Sequence, residues 1–125
     1  MRQRGIFLFC ALMLFLFPGG ADAQEDPGEE VTIRGEVIDP ACYLRAGQKG
    51  AAHKQCTIAC AKAGHDLAIY DPKADTIYFV VEDKLGTNPN VPIRAFAAEM
   101  VEVQGTLYSR SGVKGIVVKT VKPVQ

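Results

Sequence analysis

Three cysteines and a histidine crowd into the stretch CYLRAGQKGAAHKQCTIAC, from Cys42 to Cys60. Three thiolates and one imidazole make a complete tetrahedral donor set for a metal ion. Thiolates are soft ligands that suit Cu(I) and Zn(II). The spacing supports a shared site. Residues 51–63 are rich in Ala, Lys and Gln, and Gly64 stands where a left-handed helix cap belongs, which predicts a helix. On it His53, Cys56 and Cys60 fall at i, i+3 and i+7 and therefore share one face. Ten residues separate Cys42 from His53, and Gly47 and Gly50 between them let the chain fold back. The predicted centre takes Cys42, Cys56 and Cys60 as thiolate ligands and His53 as the nitrogen ligand. Copper is the first choice and zinc the second. Such a site loses its metal at low pH, because the ligands must be deprotonated.

The same residues admit other chemistry. Cys42 can pair with Cys56 or Cys60 in a disulfide that staples the segment to the fold, closing a loop of about 15 residues worth roughly 3 kcal/mol. Cys56 and Cys60, one helical turn apart, have Cα atoms roughly 6 Å apart, within disulfide range but not ideal. A thiol redox role is the third reading. A nucleophilic Cys–His enzyme is disfavoured, because no third orienting group stands out, so no enzyme is expected. Haem attachment requires C-x-x-C-H, and Cys56 to Cys60 is C-x3-C. His65, just past the predicted helix, reads first as a partner of the helix dipole and second as a substitute ligand. Asp66, Asp71, Asp75, Glu82 and Asp83 read as turn residues. Tyr43, Tyr70, Tyr78 and Tyr108 can form a stacking face for sugars or peptides.

The compartment matters to a thiol cluster. Arg2 and Arg4 precede an apolar run from Ile6 to Phe17, broken by Pro18-Gly19-Gly20 and followed by Ala21-Asp22-Ala23. This is the pattern of a cleaved signal peptide over residues 1–23. Twelve apolar residues are too few to cross a bilayer, which takes about 20. The expected product is periplasmic or extracellular, with no membrane span after cleavage. Cys10 leaves with the signal, so three cysteines remain, an odd number that a metal centre would absorb. The mature chain carries 12 basic and 13 acidic residues. That balance offers no footprint for nucleic acid. About 100 residues make one domain.

The elements that must position the cluster follow from period and punctuation. Residues 24–30 (QEDPGEE) read as a flexible lead-in to a single domain over 31–122. Residues 31–39 alternate as a strand, with Val31, Ile33, Gly35 and Val37 on one face and Asp39-Pro40 ending it. Gly35 suggests a bend or bulge. Residues 66–70 and 76–81 form a predicted hairpin across DPKAD, and 84–92 a loop. One or two helical turns follow at 93–98. Residues 99–108 and 113–121 are the last strands, joined by a tight turn, with Lys119 and Lys122 facing water or guarding an edge. Five strands with a short helix between the third and fourth is the element order of the OB-fold barrel. The rival is an open antiparallel sheet with a helix on one face. In the barrel the cysteine-rich segment becomes a helical insert between strands one and two, a loop such barrels use for ligands.

The run GEVIDPACYLRAGQKGAAHKQCTIAC resembles a pattern, G-E-[VI]-x-D-x-x-C-Y-L…G…H-x-x-C-x-x-x-C, of small exported bacterial OB-like proteins. Their closing strands are similar to VEVQGTLYSRSGVKGIVV here, so the resemblance spans residues 31–121. It implies export and a common role for Cys42, His53, Cys56 and Cys60, and no particular activity. The barrel portion is more loosely similar to periplasmic OB-fold proteins. His65-Asp66 departs from the small or proline-containing turn expected there. The sequence thus points to an exported OB-like module that binds a soft metal and serves an envelope protein partner. The alternative is a disulfide-stapled domain whose barrel face binds a protein or saccharide.

Overall fold

A computed structural model describes residues 25–124. The signal-peptide expectation over 1–23 lies outside the described residues. Five strands run in chain order: β1 (Glu29–Ile38), β2 (Ala68–Asp71), β3 (Thr76–Val80), β4 (Met100–Arg110) and β5 (Val113–Pro123). They close into a barrel in the order β1-β2-β3-β5-β4, with β4 returning to β1. Neighbours are antiparallel except β3 and β5, which meet in a short parallel seam, Phe79 against Gly115 and Val80 against Ile116. This is the OB-like topology that the element order predicts.

Alternation along the strands decides which residues fill the barrel. Ile33 and Val37 of β1, Ile69 of β2, Val80 of β3, Val101 and Val103 of β4 and Ile116 of β5 are buried together. Leu67, ahead of β2, and Ile93, in the β3–β4 connection, complete that core with no exposed surface. A 3-10 turn at Arg94–Phe96 follows Ile93, which is the short helical element expected between strands three and four.

Several local details differ from expectation. Glu29 and Glu30 belong to β1, paired with Leu107 and Thr106, rather than to a flexible lead-in. The Glu30 carboxylate accepts hydrogen bonds from Thr106 Oγ1 at 2.6 Å and Lys119 Nζ at 2.7 Å. Cross-strand pairing and these polar contacts offset the ordering of a Pro-Gly-acidic stretch that composition alone would leave free. Gly35 makes no bulge, because its ladder with β4 runs without a shift. It is needed where the β2 backbone presses close, since a Cβ there would collide with the Tyr70 carbonyl oxygen. The bulge falls instead at Gln104/Gly105 in β4. Lys119 and Lys122 do lie exposed; Lys122 pairs with Glu102 on neighbouring β4, and Lys119 reaches past β4 to Glu30 on β1.

Between β1 and β2 lies the cysteine-rich insert. It forms two helices, α1 (Pro40–Ala46) and α2 (Lys54–Lys62), with a 3-10 turn at Ala51–His53 leading into α2. Helix α1 occupies a stretch that the sequence pattern assigns to a loop. Asp39 caps it, Oδ1 accepting from the N–H groups of Ala41 at 2.8 Å and Cys42 at 3.1 Å, and Pro40 sits at the first helical position. Both choices fit a helix start. Gly47, at φ 65, ends it in the left-handed region. Thr57 is buried, and Ala61 packs on the core, which seats α2 against the barrel.

Candidate metal centre

The insert is held at three places. The Glu36 carboxylate at the end of β1 accepts the Gly50 N–H, fixing the turn between the helices. Lys54 Nζ at the start of α2 reaches Glu99 Oε1 at 2.6 Å. Asn90 is almost fully buried and joins the far end, donating to the His65 carbonyl at 2.8 Å and accepting the Leu67 N–H at 2.8 Å. A bond to each strand-flanking segment makes the insert part of the barrel rather than a loose loop.

Those anchors bring the ligating side chains together. Cys42 lies in the first turn of α1, His53 at the junction into α2, and Cys56 and Cys60 one turn apart on α2. The ligand atoms of Cys42, His53 and Cys56 all lie within 4.8 Å of one another. A second set with the same closeness comprises Asp39, Cys42 and Cys60. The four predicted residues therefore fall in two triads that share Cys42, and Cys60 groups with Asp39 rather than with His53 and Cys56 as the expected single tetrahedral set would have it. Ligands held 2.0–2.3 Å from a tetrahedral ion stand roughly 3.3–3.8 Å apart, so closing either triad takes shifts on the order of 1 Å. No disulfide joins Cys42, Cys56 and Cys60, and all three are thiols. The stapled alternative has no counterpart in this arrangement.

Asp39 is the member that sequence reasoning missed, having served there only to end a strand. Its side chain is 1 % exposed. The usable signal was Asp-Pro with a cysteine two residues after the proline: an N-cap carboxylate lies close to the side chains of its own first turn. Two buried side-chain atoms among the described residues lack a hydrogen-bond partner, Asp39 Oδ2 and His53 Nε2. Their residues belong one to each of the two triads. A buried polar atom left unpaired costs about 1–3 kcal/mol, and a metal ion would satisfy both kinds. His65 Nδ1 approaches Asp39 Oδ2 only to 3.7 Å and is half exposed, which places it beside the cluster rather than in it.

Electrostatics follow from this crowding. The Cys60 thiol is pushed up to about 12, first because its proton is attracted to the Asp39 carboxylate and then by burial. Cys42 is also raised, by burial first and then by the charge of Asp39. Burial would raise Asp39 as well, but the facing Cys60 thiol and the N–H groups of Cys42 and Ala41 outweigh it, and the carboxyl ends below its ordinary value. These shifts favour the charged form of the Asp39 carboxylate and the protonated form of the Cys42 and Cys60 thiols. An ion entering must displace those thiol protons.

The four tyrosines do not form one face. Tyr43 and Tyr70 stack with centroids 4.6 Å apart, while Tyr78 lies under the Lys114 ammonium and Tyr108 near Gly28. No described helix is long and apolar enough to cross a membrane. Comparison with protein-family models, curated proteins and solved structures returns no match.

Proposed function

We propose that this chain is an exported OB-like module that binds a soft metal ion in its first inter-strand connection, copper(I) before zinc(II). Cys42, Cys56 and Cys60 supply thiolates and His53 the nitrogen. The observation that carries the reading is His53, whose Nε2 is buried without a hydrogen-bond partner and whose ring offers a nitrogen within 4.8 Å of two cysteine sulfurs. An exposed histidine beside a structural cysteine pair has no reason to shelter its free nitrogen among thiols. A ligand does. The Thr57 hydroxyl adds support, donating to the His53 carbonyl at 3.2 Å and so steadying the backbone that carries the ring.

In this reading the module carries or senses metal within the cell envelope, where a protein partner receives the ion or the signal. The export step rests on the leader sequence. The test is metal content and free-thiol count on the secreted protein, purified without chelator. Bound copper or zinc with protected thiols, reduced 10-fold or more in affinity by His53→Ala, supports it. Absence of metal with one titratable thiol and one disulfide instead makes the chain a stapled interaction domain. A reversible thiol couple poised near the compartment's potential makes it a redox protein.

A further inference from the structure

We infer that the cluster holds two divalent ions bridged by the Cys42 sulfur, one in the triad Cys42–His53–Cys56 and the other in the triad Asp39–Cys42–Cys60. The inference rests on the metal-binding reading, taken with zinc(II) rather than copper(I) and with Cys60 assigned to the second ion, and extends it to a site that the cysteine and histidine spacing does not disclose.

Three observations converge. The candidate donors fall into two compact triads with one common member, and that member is a cysteine, whose thiolate can bind two metals at once. The two residues that carry a buried side-chain atom without a partner, Asp39 and His53, are divided between the triads, one in each. A single ion on the three cysteines and His53 would leave Asp39 Oδ2 buried and unsatisfied. The third is charge. Three thiolates and one carboxylate carry four negative charges, and two divalent cations balance them. Burying an unbalanced carboxylate beside thiolates would be costly.

The donor sets also differ in character. Two sulfurs and an imidazole nitrogen suit zinc or copper, whereas a carboxylate oxygen is a harder donor and turns its triad toward a divalent ion such as Zn(II). Each triad leaves a fourth position for water or for a ligand from a partner. Asp39 Oδ1 stays on the N–H groups of α1, so the second ion needs only the free oxygen. Loading the cluster replaces three thiol protons with metal–sulfur bonds, and the protons leave to solvent.

The test is a Zn(II) titration of the reduced full-length mature protein, with bound ions counted by native mass spectrometry. Two ions per chain are expected in the wild type. One is expected in Asp39→Asn, which keeps a capping oxygen, and one in Cys60→Ser. His53→Ala also keeps one, while Cys42→Ser drops affinity at both sites by 100-fold or more. In the cadmium-113 form two resonances should both correlate with the Cys42 β-protons. One ion in the wild type overturns the second site and leaves the single-ion reading standing. None overturns both. Two ions unaffected by Asp39→Asn place the second elsewhere and overturn the bridge.

Discussion

Asp39 and Cys42 are joined through the backbone: the carboxylate Oδ1 accepts the Cys42 N–H at 3.1 Å, so the residue that starts α1 also sets the direction of the first thiol. Removing it should act on stability and on the cluster together. Asp39→Ala is expected to destabilise the metal-free protein by about 1–2 kcal/mol, the cost of a lost helix cap. Asp39→Asn should lose less, since its amide oxygen still caps. Urea midpoints of the two variants, measured with chelator present, check the order; equal losses would mean that the cap contributes little.

The turn between the two helices makes a sharper demand on the backbone. Gly50 sits at φ 77 and ψ −176, a region open to glycine and costly for other residues. A Cβ there would meet no atom within 4 Å, so the penalty is conformational rather than steric. Gly50→Ala should cost about 1–3 kcal/mol in denaturant unfolding. It should also weaken metal affinity, because the Gly50 N–H that Glu36 holds fixes the approach of His53 to Cys42.

A substitution in the barrel gives the control. Ile93 has no exposed surface and packs with the barrel residues from the β3–β4 connection. Ile93→Ala should cost about 2–5 kcal/mol by transfer loss and cavity formation. The ligating residues lie outside the core cluster that holds Ile93, so the folded fraction should bind the wild-type number of ions. A changed stoichiometry in mass spectrometry would show the barrel and the cluster to be coupled through the core.

Glu102 links Arg34 at 2.7 Å and Lys122 at 2.9 Å on flanking strands. Hydrogen bonds from Lys122 and then Arg34 hold its carboxyl below the ordinary value. A carboxylate with a depressed folded-state value contributes stability above its unfolded value, and loses it as pH falls through the folded one. Glu102→Gln should therefore lower stability at neutral pH and flatten the acid limb below about pH 4, where the wild-type carboxylate protonates. The effect should shrink in high salt, because the pairs are exposed. Thermal unfolding between pH 2 and pH 7 reads both.

Alternation made the barrel readable in advance. The apolar period of two in residues 31–38 and 101–107, with turn residues between short runs, leaves few ways to bury the strands, and a helix-like turn in the third connection narrows them to this order. Local sequence chemistry also determined the phase of His53, Cys56 and Cys60, since helical periodicity alone puts them on one face. Tertiary structure decided the rest. Glu29 and Glu30 are polar and carry no strand signal of their own, yet β4 pairs with them because barrel closure needs the register. Whether Cys42 meets the α2 face depended on Glu36, Lys54 and Asn90 anchoring the insert from elements far away in sequence. Asp39 joined the cluster for the same reason: a short-range rule places its carboxylate at the start of α1, but only the packing of α2 across that start brings Cys60 to it. Periodicity is a property of neighbours along the chain, whereas a shared ligand set is a property of distances between separate elements, and those distances exist only once the barrel has closed.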